Sequence, residues 1–385
     1  MLKKQIKITI FYLLFFILII CSFFITLLYE KQVKPINLEN LISTNQYFDN
    51  KTLMNENIND NKNQHETMKT VFVQPSFVND KLNLSNFNYE GKCREAFKYK
   101  PHNKRDLVFT AIKYDDKKKW KHHKSQILLS MSIMNNTIPK ATKVLVVYSE
   151  IDEIKTTAEN FGFEVITVKV DKKRKKIGYL NAAIDRYLQL ETYLNQHEGE
   201  FDRIAVIDAR DVYFFADGFQ TVSENEVVFT EECDIRPNGE IVCIDFQGGC
   251  NYDWVKQFYG KREANKYKKE KKHVNNVGVI MGGIIPFKQF LNVLLKEIKK
   301  MKKYLRYWGI DNAMLNHLRY SGKLYAINYT VNNYTQRLAF QWGGGYVYDA
   351  EKKSVTDSFD GCSPIIRHKL GGNTMFRLGV DIQGK

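Results

Sequence analysis

The chain has 385 residues, enough for one large domain or two ordinary ones. Lys and Arg number 58 against 43 Asp and Glu, a formal net charge of +15. The basic runs at 172–176, 268–272 and 296–303 read as solvated helix faces, or as attraction for anionic ligands and lipid headgroups. A nucleic-acid partner is not expected, because the N-terminus points to placement outside the cytosol.

Residues 8–29 form an apolar span interrupted only by Thr9, Ser22 and Thr26. At about 1.5 Å per residue such a helix crosses a hydrocarbon core of roughly 30 Å. The run is longer than the apolar part of a signal peptide, and no Ala-x-Ala-like cleavage site follows, since the first alanine is Ala96. An uncleaved anchor is therefore expected over residues 1–29. Lys3, Lys4 and Lys7 precede it, which keeps the amino end in the cytoplasm and sends the rest to the lumen of the Golgi or endoplasmic reticulum. Residues 30–100 are rich in Asn, Asp and Lys and too poor in apolar clusters to offset chain entropy, so they read as a largely disordered stem. Residues 101–385 form the body of this type II membrane layout. Five Asn-x-Ser/Thr sites, at Asn50, Asn83, Asn135, Asn328 and Asn333, suit a lumenal glycoprotein. Cys21 lies in the span, and Cys93, Cys233, Cys243, Cys250 and Cys362 can form at most two disulfides and leave one thiol. The Cys243-x6-Cys250 spacing does not resemble a zinc site.

The body alternates strand and helix. Strands are expected at 107–112, 143–148, 164–170 and 204–207, and helices at 121–134, 151–161 and 177–195. This order predicts an α/β fold with a mostly parallel sheet and helices on both faces. Farther on, Phe287, Phe290, Leu291, Leu294, Leu295, Ile298, Met301 and Leu305 make one helical stripe, with lysines largely elsewhere.

The 204–207 run ends abruptly in Asp208-Ala209-Arg210-Asp211, and a second apolar run follows. Ligands of open α/β sheets sit beyond the carboxyl ends of such strands. Two carboxylates there can hold a divalent cation, and the cation can hold a diphosphate. Three further elements come after it in the chain: Asn275-Asn276-Val277-Gly278 running on to Gly282-Gly283, Trp308-Gly309-Ile310-Asp311-Asn312 with Leu315-Asn316, and Arg367-His368-Lys369-Leu370-Gly371-Gly372.

In this order the elements resemble those of nucleotide-sugar glycosyltransferases of the GT-A fold, similar to glycosyltransferase family 8 and its distant relatives, over roughly residues 105–375. The resemblance implies that Asp208 and His368 bind a metal, that Asn276-Val277-Gly278 stands in the Asn-Ala-Gly position, and that Asp311 is the acceptor-side acid, with Asn312 in place of Gln and Leu315-Asn316 matching Leu-Asn. The second acid of Asp-x-Asp would fall on Arg210, with Asp211 one position late. Either the turn differs and Asp211 ligates, or the Arg210 fork meets the diphosphate itself. The Lys-Pro-Trp that often follows the late His-x-x-Gly is absent.

The chemistry expected is departure of a nucleoside diphosphate, assisted by Mn²⁺ or Mg²⁺ held by Asp208, Asp211 and His368. Asn276 offers an amide and Gly278 a close backbone for sugar hydroxyls. Asp311 binds a sugar hydroxyl, acts as a base if the reaction inverts, or simply caps a helix. Thr110, Lys113 and Tyr114, at the end of the first strand, face the nucleotide by position in the fold, and Lys369 reaches the leaving phosphate. The donor is then a nucleotide diphosphate sugar and the acceptor a glycan or glycoconjugate. The alternative is a catalytically inactive carbohydrate-binding or scaffold protein that keeps the fold.

Overall fold

The computed structural model describes residues 72–169, 182–235, 238–332 and 346–369. The apolar span at 8–29, residues 30–71 of the expected stem, positions 170 and 177–181 of two expected elements, and Leu370-Gly371-Gly372 lie outside the described residues. Among the described residues no helix is long and apolar enough to cross a membrane.

Strand β1 (Asp106–Ile112) leads into helix α1 (Lys117–Thr137), whose first turn is capped by the Asp116 carboxylate accepting from Lys118 N–H at 2.6 Å. Strand β2 (Thr142–Val147), helix α2 (Asp152–Asn160) and strand β3 (Glu164–Thr167) follow. Helix α3 (Ala182–Gln196) returns the chain to strand β4 (Arg203–Asp208), and a turn leads into the short strand β5 (Val212–Phe214). Strand β6 (Val227–Glu231) precedes a small hairpin of β7 (Cys233–Ile235) and β8 (Ile241–Cys243), then helices α4 (Gly249–Tyr259) and α5 (Lys261–Lys269). Strand β9 (Asn275–Gly283), helices α6 (Ile284–Lys300) and α7 (Ile310–Tyr320) and strand β10 (Tyr329–Asn332) complete the main sheet. A hairpin of β11 (Tyr346–Asp349) and β12 (Ser354–Asp357) leads to β13 (Ile366–His368).

The seven-stranded sheet has the order β10-β6-β9-β4-β1-β2-β3, and β9 alone runs against the others. Alternate side chains of the inner strands point to opposite faces. Leu107 and Phe109 join a core with α3, α6 and α7, while Val108 and Ile112 join another with α1 and α2. The expected α/β class, mostly parallel sheet and helices on both faces are thus present. The expected stripe of the 287–305 helix is buried on α6 from Phe287 to Ile298, and the helix ends at Lys300 with a tighter turn at Lys302–Tyr304.

The stem boundary expected at residue 100 falls too late. Leu82, Leu84, Phe87, Tyr89 and Phe97 are buried in the α1 core, although their spacing is too irregular to register as an element. Cys93 is disulfide-bonded to Cys362, and Tyr89 donates to the Pro364 carbonyl at 2.8 Å, so residues 72–100 belong to the body. The second disulfide joins Cys233 to Cys243, and among the described residues Cys250 is a free, exposed thiol.

At the amino ends of β1 and β4, Arg203 and Asp106 form a fully buried pair, both bonds at 2.7 Å. Arg203 also donates to the carbonyls of Lys100, Pro101 and Phe219. Asp106→Ala strands the guanidinium and should cost about 3–5 kcal/mol in urea unfolding. An unchanged midpoint would contradict this.

His317 lies on α7 between the Tyr259 ring, stacked at 3.8 Å, and the Tyr267 hydroxyl, 3.0 Å from Nδ1. Burial, with Lys323 beside it, pushes its pKa down from 6.5 to about 4. The unfolded chain therefore takes up this proton first, so the contribution is full above pH 6.5 and falls as the pH drops towards 4. The loss is roughly 3 kcal/mol. His317→Gln should flatten the stability slope in that window, and equal slopes for the two proteins would refute the assignment.

Candidate functional site

The strand order reverses at β1, with β2 on one side and β4 on the other. A crevice at the carboxyl ends of such strands is where open α/β sheets take ligands. A cavity of about 300 Å³ lies there. Lys113 and Tyr114 enter its wall from the end of β1, residues 208–211 from β4, and Glu232 from β6. Because β9 is antiparallel, its amino end brings Asn276 to the same edge. Asp311 and Asn312 arrive on the first turn of α7, whose aligned peptide dipoles favour negative charge at that end.

β4 stops at Asp208, and three turn residues separate it from β5. β13 pairs antiparallel with β5, placing His368 opposite Val212, and Lys369 N–H donates to the Asp211 carbonyl at 2.8 Å. The imidazole is thereby held over the turn. Its Nε2 is 3.5 Å from Asp208 Oδ2 and 3.5 Å from Asp211 Oδ1. All three donors lie within 4.8 Å of one another. The extra turn residue thus bears on the departure seen in the sequence: it brings Asp211, rather than residue 210, beside Asp208 and His368.

The other oxygen of each aspartate is held by an arginine. Asp208 Oδ1 accepts from Arg186 at 2.7 Å, and Asp211 Oδ2 from Arg210 at 3.0 Å. Burial opposes the charge on Arg186, and Tyr187, Asp208 and Asp311 outweigh it. Burial likewise opposes ionisation of Asp211, yet His368, Arg210 and Lys369 hold its carboxyl well below the usual carboxylate range. Across the cavity, burial raises the Asp311 carboxyl and Arg186 opposes the shift.

His368 Nε2 is buried without a hydrogen bond. Such a nitrogen is costly unless a ligand reaches it. One imidazole and two carboxylates suit Mn²⁺, with Mg²⁺ the weaker match. The donor set therefore fits the expected metal. A second group of donors, Glu231, Cys233, Cys243 and His273, is equally close, but its two cysteines are joined as a disulfide and offer no thiolates.

Several expected contacts have other roles. Thr110 does not line the cavity: it is buried, and its hydroxyl donates to the Ile207 carbonyl at 2.7 Å, tying β1 to β4. Gly278 does not line it either. A Cβ there would overlap the His368 imidazole, so Gly278 makes room for the ring. Asn276 lines the cavity, but its Oδ1 accepts from Gly278 N–H at 2.6 Å and its Nδ2 donates to Glu232 at 2.6 Å, which leaves one N–H for a ligand. Asp311 is not a helix cap, since Gly309 holds that position. Asn316 clamps α7 to β9 through Asn275, accepting its N–H at 2.8 Å and donating to its carbonyl at 2.9 Å. Lys113, Tyr114, Arg210 and Lys369 line the cavity. Burial pushes the Tyr114 hydroxyl up to about 12, so the ring stays neutral.

Sequence reasoning missed Arg186, Glu232 and Trp254, and named Trp308 in a motif without giving it a role. Arg186 shares a helical face with Leu190 and Tyr193, and a charge on that apolar stripe was its signal. Glu232 follows the run Val227-Val228-Phe229, and the strand-end rule that found Asp208 applies there too.

No protein-family model matches the chain, and no curated protein matches it.

Gly278→Ala should displace the imidazole and weaken Mn²⁺ binding about 10- to 100-fold, the usual effect of disturbing a ligand's support. Calorimetric titration of the full chain with Mn²⁺ checks this, with far-ultraviolet circular dichroism as the control for folding. Unchanged affinity would separate His368 from any metal.

Proposed function

We propose that this chain is a GT-A-type glycosyltransferase that moves a sugar from a nucleotide diphosphate sugar to a glycan or glycoconjugate. The observation that carries the reading is the meeting of Asp208, Asp211 and His368 Nε2 at the switch point of the sheet, beside a cavity that also presents Lys113, Arg210 and Lys369. Similarity to family 8 would imply retention of anomeric configuration.

Asp208, Asp211 and His368 would hold the divalent cation, which when bound supplies Lewis-acid stabilisation of a departing diphosphate. Arg186 fixes the Asp208 carboxylate so that only its Oδ2 faces the His368 ring. Arg210 does the same for Asp211 and adds positive charge at the cavity wall. Lys113, ion-paired to Asp115 at 3.4 Å, and Lys369 also line the cavity and offer donors to phosphate oxygens. Tyr114, beside the His123 ring at 5.6 Å, gives a neutral aromatic surface for the nucleobase. Asp311 accepts a hydrogen bond from a sugar hydroxyl, or removes its proton if the reaction inverts.

The rival, a non-catalytic carbohydrate binder, rested on Arg210 replacing an acid. The three-residue turn weakens that ground by bringing Asp211 into the cluster. The two disulfides support an oxidising compartment, in keeping with a type II, lumen-facing protein anchored by residues 8–29.

Full-length protein in detergent, offered a panel of nucleotide sugars with Mn²⁺, should release nucleoside diphosphate. Asp208→Ala should lower that rate by about 10²–10³-fold or more. Normal turnover by the variant would reject the assigned role, and glycan binding with no metal-dependent affinity for any nucleoside diphosphate would favour the rival.

A further inference from the structure

Trp308 is 78% exposed, yet it lines the cavity. A lone exposed aromatic ring is ordinary on a protein surface. One at the rim of a polar cavity, two residues ahead of a helix whose first turn forms the wall, has a ligand within reach. The ring does not stand alone. Gly309 next to it has φ +78°, and a Cβ there would overlap the Trp254 indole, which lines the same wall. The backbone after Trp308 is thus pressed against a second indole.

An independent observation comes from Asn312. It lines the cavity and is only 6% exposed. Its side-chain amide pairs with that of Asn251, Nδ2 to Oδ1 at 2.6 Å. Its Oδ1 is buried and has no hydrogen-bond partner. An unsatisfied amide oxygen costs free energy that an incoming hydroxyl would recover.

An apolar flat surface and a bare acceptor on one wall describe a ligand with a C–H face and hydroxyl edges. We propose that Trp308 and Asn312 form an acceptor subsite for a glycoside, with the C–H face of a pyranose on the Trp308 indole and one of its hydroxyls donating to Asn312 Oδ1. This rests on the transferase reading only in calling the sugar an acceptor; the sugar subsite itself does not require turnover. The diphosphate end of the donor is assigned to Asp208, Asp211 and His368, which leaves Trp308 and Asn312 for the second substrate.

Two measurements on the full-length protein test the proposal, with methyl glucoside, galactoside, mannoside and N-acetylglucosaminide as probes. In turnover assays, Trp308→Ala should raise KM for the best methyl glycoside about tenfold or more, the equivalent of about 1.4 kcal/mol, and by more than any change in donor KM. Trp308→Phe, which keeps a ring, should recover most of that loss. An acceptor KM unmoved by Trp308→Ala overturns the proposal. In acrylamide quenching, a methyl glycoside should shield one indole of the wild-type protein, and the shielding should vanish in Trp308→Phe and weaken in Asn312→Ala. Shielding by nucleosides instead, or by no glycoside, overturns the subsite whatever the turnover assays show. Shielding by a glycoside with no turnover of any nucleotide sugar retains the subsite and discards the transferase.

Discussion

The short ladder between β5 and β13 is the interaction on which the site depends. It pairs three residues on each strand, with His368 opposite Val212. The β4 turn places two carboxylates at the sheet edge by local geometry alone, whereas the nitrogen that completes the cluster comes from far along the chain. Much of the surrounding packing serves that ladder. Ser130 and Thr137 of α1 donate to the Val212 and Phe214 carbonyls, at 2.5 and 2.8 Å. A Cβ on Gly218 would overlap Ile366, so a glycine lets β13 settle against the chain after β5. Cys93–Cys362 and the Tyr89 bond to Pro364 brace the approach to β13 from the other side. The 72–100 segment is therefore part of what holds the imidazole in place.

Two buried arginines divide structural and chemical duties along one strand pair. At the amino ends of β1 and β4, Arg203 is satisfied by Asp106 and three carbonyls and has no route to solvent. At the carboxyl end of β4, Arg186 is bound to Asp208 and to the carbonyls of Ile207 and Val277. It therefore ties β4 to β9 while holding one oxygen of Asp208. A buried charge is costly unless its partners are well placed. At the Arg186 end that cost fixes which carboxylate oxygen is left to face the cavity.

The fold was legible because its signals are local. Apolar runs bounded by charges marked β1, β2 and β4, and the helical stripe from Phe287 to Ile298 marked α6. The site was legible in part for the same reason: Asp208 and Asp211 sit at a strand end, and the order of motifs brought Asn276, Asp311 and His368 to the same cavity. What a linear pattern does not carry is the partner of each polar atom. The Thr110 hydroxyl is satisfied inside the sheet, and most of the Asn276 amide by Gly278 and by Glu232, 44 positions away. Gly278 reads as a sugar contact until the ring above it is seen. The stem boundary failed because Leu82, Phe87 and Phe97 follow no helical or strand period, and irregular chain that packs against a core resembles disordered chain in composition.

The central claim is that one divalent ion, held by Asp208, Asp211 and His368, anchors a nucleoside diphosphate at this edge of the sheet. Crystals of the protein grown with Mn²⁺ and a nucleoside diphosphate, with diffraction collected at the manganese absorption edge, test it most directly. The account predicts an anomalous peak among the three side chains, with diphosphate oxygens beside it and the nucleoside running towards Tyr114. A nucleotide ordered elsewhere, or a manganese peak absent from this cluster while the nucleotide is bound, would contradict it.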